Sequence, residues 1–276
     1  MKAGLLQLCS GDDPSENLVS TRALVREAAG RGAQFVLTPE VTNCVSGSRE
    51  RQLQVLRAED EDETLPALCD EARALGIWLL IGSLALKAEQ SGAPFVNRSF
   101  LIGPDGAIVA RYDKLHMFDV TISETETYRE SAGYQPGDRA VLAHAPFARI
   151  GMSICYDIRF PHLYSALARA GAQILTVPAA FSKPTGMAHW ESLLRARAIE
   201  CGAFVLAPAQ TGEHPTTTDS IRRTHGHSLA VSPWGEVLAD GGEDVGITIV
   251  DLDIDEVAKS RRRVPSLTHI RPFEGP

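Results

Sequence analysis

The sequence predicts an α/β fold in which two β-sheets pack face to face between outer layers of helices, a four-layer α-β-β-α sandwich with internal pseudo-twofold symmetry. Short apolar strands alternate with segments whose apolar residues recur at helical spacing. This alternation occurs twice, because the pattern Gly32-Ala33-Gln34, strand, Pro39 returns 139 positions later as Gly171-Ala172-Gln173, strand, Pro178. Each half supplies helices for one face of its sheet, so the two sheets are best buried against each other.

The first half is predicted to run strand, helix, strand, helix, strand and hairpin. Residues 2–8 form the first strand, and helices follow over 17–29 and 64–75. The turn of the hairpin is Gly103-Pro104-Asp105-Gly106, whose residue types favour a tight turn.

The second half repeats this order. An apolar strand leads to a sharp turn at Cys155, and Pro161 opens the next helix. Helices are predicted over 162–170 and 189–201, and the second hairpin turns at Ser232-Pro233-Trp234-Gly235. The basic run Arg261-Arg262-Arg263 is interpreted as the end of a C-terminal helix, where positive charge is favourable.

Composition limits the possible classes of protein. A chain of 276 residues with 44% hydrophobic content can bury one large core, so we expect a single domain over 1–276. The net charge of -8 disfavours a nucleic-acid partner. No apolar stretch approaches the roughly 20 residues of a membrane span. The five cysteines show no Cys-x-x-Cys spacing, which favours a reducing compartment and predicts a cytoplasmic protein.

Three chemically useful side chains stand where apolar strands end. They are Glu40 at the end of residues 32–40, Lys114 within residues 108–116 and Cys155 within residues 148–161. Because ligands of open α/β sheets gather at the carboxyl ends of strands, these residues could converge. Each alone has a simpler interpretation, since strand-end charges are usually solvated and a lone cysteine is usually a small buried apolar residue.

The segments around these residues resemble the three signature motifs of the nitrilase superfamily, the carbon–nitrogen hydrolases. The motifs are Thr-Pro-Glu at Glu40, Tyr-Asp-Lys-Leu-His-Met-Phe-Asp at Lys114 and Cys-Tyr-Asp-Ile-Arg-Phe-Pro at Cys155. They occur in the family's order, and the similarity extends over residues 2–273. The resemblance implies the same four-layer sandwich and a homo-oligomer, a dimer or larger.

The chemistry explains why these residue types are needed together. A thiol with a pKa near 8.5 is mostly protonated at neutral pH, so Cys155 needs Glu40 as a base and Lys114 as a nearby positive charge. Attack on an amide carbonyl creates an oxyanion, for which a preorganised donor contributes roughly 3 kcal/mol. Lys114 and the backbone N–H of Tyr156 are the candidate donors. Collapse to a thioester and its hydrolysis would release ammonia and a carboxylic acid.

The family usually carries a second glutamate between the lysine and the cysteine. Glu130, before the turn Gln135-Pro136-Gly137-Asp138, is the best match for a supporting role that orients Lys114 or the substrate. The neighbouring segment is acidic, and Glu126 is the alternative.

The substrate is predicted from the same motifs. Cys155-Tyr156-Asp157 resembles the amidase branches, whereas nitrilases usually show Cys-Trp-Glu, and residues 178–200 resemble the deaminated glutathione amidases and omega-amidases. A small carboxylate-bearing amide is therefore implied, such as deaminated glutathione or an α-keto acid ω-amide. Arg159 is a candidate carboxylate clamp, with an ion pair to Asp157 as its equal alternative. The loop from Phe118 to Tyr134 departs from either branch and is expected to shape the pocket mouth.

Several alternatives remain open at this stage. The same thioester could serve an acyltransferase, and an N-carbamoyl amidase or another aliphatic amidase is a further alternative. A non-catalytic scaffold or binding module is the third possibility. The presence of Glu40, Lys114 and Cys155 together argues against it, because a scaffold needs none of this chemistry. A histidine base for Cys155, His116 or His189, is a weaker reading. His214, His225 and His227 match no metal-ligand spacing, so neither a metal nor a cofactor is predicted.

Overall fold

The computed structural model of the protein describes residues 1–88, 94–124 and 126–275. The strands, in chain order, are β1 (Lys2–Gln7), β2 (Phe35–Leu37), β3 (Trp78–Lys87), β4 (Phe95–Ile102), β5 (Ile108–Asp113), β6 (Asp119–Thr121), β7 (Thr127–Arg129), β8 (Tyr134–Gln135), β9 (Val141–Ala145), β10 (Ala148–Met152), β11 (Ile174–Thr176), β12 (Phe204–Ala207), β13 (Thr211–Glu213), β14 (Arg223–His225), β15 (Leu229–Val231), β16 (Val237–Asp240) and β17 (Gly246–Asp251). The α-helices are α1 (Pro14–Gly30), α2 (Arg49–Val55), α3 (Thr64–Leu75), α4 (Pro161–Arg169), α5 (Lys183–Cys201) and α6 (Asp255–Arg263). Short 3₁₀ helices span Glu130–Ala132, Cys155–Arg159 and Ser266–Thr268.

Two large mixed sheets share one topology. The first has the order β17-β1-β2-β3-β4-β5, with β8 paired to β4, and the second has the order β16-β15-β12-β11-β10-β9. In each sheet three consecutive strands are parallel, β1-β2-β3 and β10-β11-β12. Antiparallel strands flank each trio on both sides. The predicted internal symmetry is therefore present in strand order and direction.

The core shows why these sequences form buried strands. Along β2, Phe35 and Leu37 belong to the cluster that contains the second sheet, whereas Val36 packs in the cluster formed with α1 and α3. This alternation follows from the two-residue period of a strand. The other face of the second sheet is covered by α4 and α5, which supply Leu163 and Leu194 to the core. The layers are helices, sheet, sheet and helices, which confirms the predicted four-layer sandwich.

Local signals set most of the helix ends. The Asp13 carboxylate accepts hydrogen bonds from the N–H groups of Ser15 and Glu16 and so caps α1. Gly76 ends α3 with φ of 64°, a conformation that suits glycine. The four helices predicted with bounds are present, although α5 begins at Lys183, six residues before the predicted start at His189. The predicted C-terminal helix is also present as α6, which ends at Arg263. Both predicted hairpin turns form, closed by N–H···O bonds from Gly106 to Gly103 and from Gly235 to Ser232.

The short helix α2 was not predicted. It is seven residues long, which is too short for a helical period to stand out in the sequence. Across the described residues, none of the helices combines the length and apolar character needed to cross a membrane.

Candidate active site

Cys155 occupies a strained turn directly after β10. Its φ is 47°, in the left-handed region that non-glycine residues rarely adopt. It begins the 3₁₀ helix Cys155–Arg159, and its N–H donates to the carbonyl of Pro178 at 2.9 Å. Such strain persists only where neighbouring contacts hold it in place, which is a property common at functional sites.

Asp157 supplies those contacts from below the turn. Its fully buried carboxylate accepts hydrogen bonds from the Ile154 N–H at 2.8 Å and from the Tyr112 hydroxyl at 2.6 Å. The His116 ring Nδ1 lies 2.7 Å from the same carboxylate. The nucleophile turn is thereby tied to the end of β5, the segment that carries Lys114.

The two histidines considered as alternative bases for Cys155 both contact other side chains. His116 pairs with Asp157 and stacks on Phe160 with 3.5 Å between ring centroids. The His189 Nδ1 lies 3.3 Å from Arg159 Nη2. Within the described part of the chain, both imidazoles are thus engaged with partners other than Cys155.

Glu40 is held by three donors after the end of β2. Its Oε1 accepts from Lys114 Nζ at 2.8 Å and from Asn97 Nδ2 at 2.9 Å, and its Oε2 accepts from the Ala180 N–H at 2.8 Å. The residue is only 4% exposed. The next residue, Val41, has φ of 48°, so the backbone is strained here as well. A buried carboxylate with this many donors is fixed in direction.

Lys114 bridges two carboxylates. Its Nζ lies 2.8 Å from Glu40 Oε1 and 2.9 Å from each carboxylate oxygen of Glu130. Glu130 is itself oriented by the Phe118 N–H, which donates to it at 2.6 Å. Glu126 instead accepts from the Tyr128 hydroxyl. Of the two glutamates considered from the sequence, the structure brings Glu130 to Lys114.

The charges of this cluster determine the resting protonation states. Burial alone would raise the pKa of Glu40, but the Lys114 ammonium and the hydrogen bonds to the carboxylate hold it below the usual range. Burial also opposes the Lys114 charge, yet Glu130 and Glu40 raise the pKa of this ammonium well above its usual value. Burial and the Glu40 charge raise the pKa of the Cys155 thiol well above its usual value. The resting site therefore pairs a neutral thiol with an ionised carboxylate and an ammonium.

The cluster forms the floor of a cavity of about 340 Å³. Glu40, Lys114, Glu130, Cys155 and Tyr156 all line it. The loop from Phe118 to Tyr134 forms one wall through the two-stranded β6-β7 ribbon, with Thr125 outside the described residues. The volume falls in the range of small-molecule sites.

Arg159, the candidate carboxylate clamp, lies outside the cavity lining. It is not among the described residues that line the cavity; its guanidinium stacks over the rings of Tyr156 and Phe181, with Cζ 5.9 and 5.4 Å from the ring centroids. Asp157 pairs with Tyr112 and His116, so the alternative ion pair from Arg159 to Asp157 is not formed. Arg159 reaches the cavity only through the two rings on which it stacks.

The sequence reasoning did not single out most of the residues that line the cavity walls, among them Asn97, Arg49 and Arg222. Asn97 could have been noticed as an amide inside the apolar strand β4. Arg49 and Arg222 gave no signal, because both stand in polar segments without periodicity and reach the cavity only through tertiary contacts.

The three histidines considered as metal ligands have other partners. His214 lies 2.7 Å from the Ser10 carbonyl and 2.8 Å from the Thr224 hydroxyl, and burial lowers its pKa to about 4. His225 and His227 stack on each other with 4.7 Å between centroids. No group of three or more metal-ligating side chains occurs over residues 1–88, 94–124 and 126–275.

Comparisons with known proteins agree with this geometry. The family model for carbon-nitrogen hydrolase matches residues 2–262. A deaminated glutathione amidase from Yersinia enterocolitica is 40% identical over 97% of this chain and 92% of its own length. One from Homo sapiens is 37% identical over 96% of this chain and 81% of its own length.

Solved structures show the same likeness. The NitFhit protein of Caenorhabditis elegans superposes with a TM-score of 0.89 at 34% identity, covering 98% of this chain and 65% of that one. An amidase from Nesterenkonia sp. AN1 superposes with a TM-score of 0.77 at 26% identity, covering 96% of this chain and 98% of that one. That structure shows Michael addition of acrylamide at its active-site cysteine.

A four-layer sandwich with a thiol, a carboxylate and an ammonium at its cavity floor is the architecture of the nitrilase superfamily, and the chain belongs to its carbon–nitrogen hydrolase family. Within that family it is an enzyme that hydrolyses amides other than peptide bonds. Its substrate is a small molecule.

Proposed function

We propose that the protein hydrolyses deaminated glutathione or a related ω-amide of an α-keto acid through a thioester on Cys155. The observation that carries this proposal is the buried contact of Glu40 and Lys114 beside Cys155 on the cavity floor. The names of the relatives support the choice of amide.

The first step is attack by Cys155 on the amide carbonyl carbon. The ionised Glu40 lies beside the thiol and takes its proton as the sulfur–carbon bond forms. Because the pKa of the free thiol is high, proton transfer to Glu40 accompanies attack rather than preceding it. The carbonyl oxygen becomes an oxyanion.

The oxyanion is stabilised by groups that are already in place. Lys114 stays charged because two carboxylates raise its pKa. The Tyr156 N–H lies in the first turn of the 3₁₀ helix Cys155–Arg159, where N–H groups have no acceptor within the helix. Donors fixed in this way need no reorganisation as the negative charge develops.

Glu40 then completes both half-reactions. It returns its proton to the amide nitrogen, the carbon–nitrogen bond breaks, and the thioester remains on Cys155. A primary ω-amide releases ammonia at this point, whereas deaminated glutathione releases an amine. Water next loses a proton to Glu40 and attacks the thioester, and the carboxylic acid leaves as the thiol regains that proton. Glu130 positions Lys114 throughout and touches no reacting atom.

The side chains of Tyr156 and Arg159 have distinct parts in this proposal. Tyr156 forms cavity wall next to the nucleophile, with its ring 5.1 Å from that of Phe118 between centroids. Arg159 braces the rings of Tyr156 and Phe181 from outside. We expect substitution of Arg159 to affect substrate binding only through these rings.

The proposal extends to the organisation of the protein. The whole chain, 1–276, is expected to form one carbon–nitrogen hydrolase domain, which is supported by the match over residues 2–262. A cytoplasmic location is supported by cysteines that are all unpaired in the described chain. A homo-oligomer is proposed from the family resemblance alone.

The test mixes wild-type enzyme and the Cys155→Ala variant with deaminated glutathione or an α-keto acid ω-amide. Release of the acid is measured together with the mass of the intact protein. Acid release and a transient adduct on Cys155, both absent from the variant, are expected. An adduct that yields acid only slowly but transfers to added hydroxylamine would indicate an acyltransferase, and turnover by Cys155→Ala would refute the mechanism.

A further inference from the structure

The cavity is lined by more positive than negative side chains. Four basic side chains and two acidic ones line the cavity, a balance of +2 in a chain of net charge -8. Lys114 already bridges both carboxylates, Glu40 and Glu130. The three arginines of the walls, Arg49, Arg129 and Arg222, are thus left without a carboxylate on the cavity surface.

Arg49 is held in a fixed position with an unsatisfied donor. Its Cζ lies 5.3 Å from the ring centroid of Phe95 and 5.5 Å from that of Tyr134. Gly133 permits this approach, because a Cβ there would lie 1.7 Å from Arg49 Cζ. The Arg49 Nη1 is buried and has no hydrogen-bond partner among the described residues. A guanidinium stays charged at any physiological pH, so this buried N–H requires an acceptor, and residues 1–88, 94–124 and 126–275 do not supply one.

Arg222 approaches the same cavity from a second loop. Its Nη2 donates to the Ala180 carbonyl at 3.2 Å, and the N–H of Ala180 donates to Glu40. Arg222 is therefore connected to Glu40, the proposed base, through the backbone of Ala180. Like Arg49, it forms no ion pair within the described ranges.

The loops that bring in the two arginines touch each other. A Cβ at Gly47 would lie 2.1 Å from Ser220 Oγ, so glycine allows the close approach of the two segments. Gly47, Arg49, Ser220 and Arg222 all line the cavity. The two arginines thus line one cavity and are carried by two segments that meet at Gly47 and Ser220.

We propose that Arg49 and Arg222 form the subsite that binds a carboxylate of the substrate, with Arg49 as the main determinant of selectivity for acidic amides. This inference rests on the proposed function, whose amide it requires to carry a carboxylate remote from the scissile carbonyl. A carboxylate matches the planar fork of a guanidinium and supplies the acceptor that Arg49 Nη1 lacks. Selectivity arises because a neutral amide leaves this buried donor unpaired.

The test compares two substrates that differ only at the remote end, glutaramate with its carboxylate and glutaramide with a neutral amide. We expect Arg49→Met to lower kcat/KM for glutaramate by about 30-fold or more, mainly through KM, and for glutaramide by less than about 3-fold. Arg222→Met should shift the ratio in the same direction by about 10-fold. Arg49→Lys, which keeps the charge and loses the fork, should fall between wild type and Arg49→Met.

Arg139→Met is the matched control, because this arginine is 85% exposed and lies outside the cavity. Its substrate ratio should equal that of wild type. Equal losses on both substrates in Arg49→Met would indicate a structural role and overturn the proposal, and so would an unchanged ratio. If Arg49→Met fails to fold, Arg49→Lys and Arg222→Met decide the question by the same ratio.

A binding measurement separates this inference from the proposed function. Glutarate is titrated calorimetrically into Cys155→Ala, with and without Arg49→Met, where no turnover occurs. Binding that weakens at least about 10-fold on loss of Arg49 supports the subsite even if wild-type enzyme hydrolyses none of the amides. Equal binding in both proteins overturns the subsite even if the amides are hydrolysed.

Discussion

Replacing Lys114 by methionine removes the ammonium but keeps an unbranched side chain of similar length. In the folded protein this ammonium lies within 2.9 Å of Glu40 and Glu130, and its side chain is 3% exposed. Its loss leaves two carboxylates at the cavity floor without their counter-ion. Breaking a buried ion pair by removing one partner costs about 3–5 kcal/mol. At roughly 2 °C per kcal/mol for a chain of this size, the melting temperature should fall by about 6–10 °C.

The pH dependence of this loss gives the sharper test. In wild type the lowered pKa of Glu40 makes the ion pair stabilising above the ordinary carboxyl pKa, and this stability disappears as pH falls through the lowered value. In Lys114→Met, burial acts without the ammonium and raises the pKa of Glu40, so the variant is destabilised most at neutral pH. The gap in melting temperature should therefore be large at about pH 7.5 and shrink towards about pH 4.5.

Activity should fall in the same variant by about 100-fold or more, since the oxyanion loses a charged donor. The assay is release of the carboxylic acid at saturating amide, alongside thermal unfolding monitored by circular dichroism. Lys259→Met is the matched control, because its ammonium pairs with Glu256 on the exposed surface of α6. A gap that is equal at both pH values, or wild-type turnover in Lys114→Met, would refute the assignment of charges.

Three further outcomes are expected. Glu40→Gln should lower turnover by about 100-fold or more. In this variant the thiolate absorbance of Cys155 should appear at a lower pH than in wild type, because the Glu40 charge raises the pKa of the thiol. Appearance of the absorbance at a higher pH would contradict this coupling. Cys155→Ala and Cys155→Gly should both abolish turnover. Cys155→Gly should unfold at a higher temperature than Cys155→Ala, because a φ of 47° costs a residue with a side chain about 1 kcal/mol. Equal melting temperatures would argue against strain in the turn. Dialysis against a chelator should leave turnover intact, because Cys155, Lys114 and Glu40 supply nucleophile, charge and base from the chain itself, and a loss reversed by added zinc would point to a metal-dependent reaction.

The sequence predicted those parts of the site that follow from regular structure. Glu40 and Lys114 follow β2 and β5, which run in the same direction in the first sheet, so the convergence of these two residues follows from that sheet. Cys155 follows β10 of the second sheet and reaches them because the two sheets pack face to face. The fold was predictable for a related reason, since the apolar periods and the repeat at a fixed offset specify strands, helices and their order.

The cavity walls could not be predicted in this way. Arg49 and Arg222 lie 173 positions apart, and they line the same cavity because the segments that carry them meet at Gly47 and Ser220. Closeness in sequence to Cys155 does not by itself place the Arg159 side chain on the cavity surface. A 3₁₀ helix has about three residues per turn, so a residue four positions after Cys155 points about 120° away from it.

The repeated fold has a consequence for how the enzyme could have arisen and how it is completed. By the 139-residue offset, the counterpart of Glu40 in the second half is Ala179, which has no proton to exchange. The second half instead offers the peptide N–H of Ala180 to Glu40, and the strand β17 closes the edge of the first sheet beside β1. The loop after β2 therefore carries the proposed base, and the corresponding loop after β11 holds that base in place. A ribosome that has released only the first 240 residues has made every residue of the Glu-Lys-Cys cluster, but the sheet behind Glu40 still lacks its last strand.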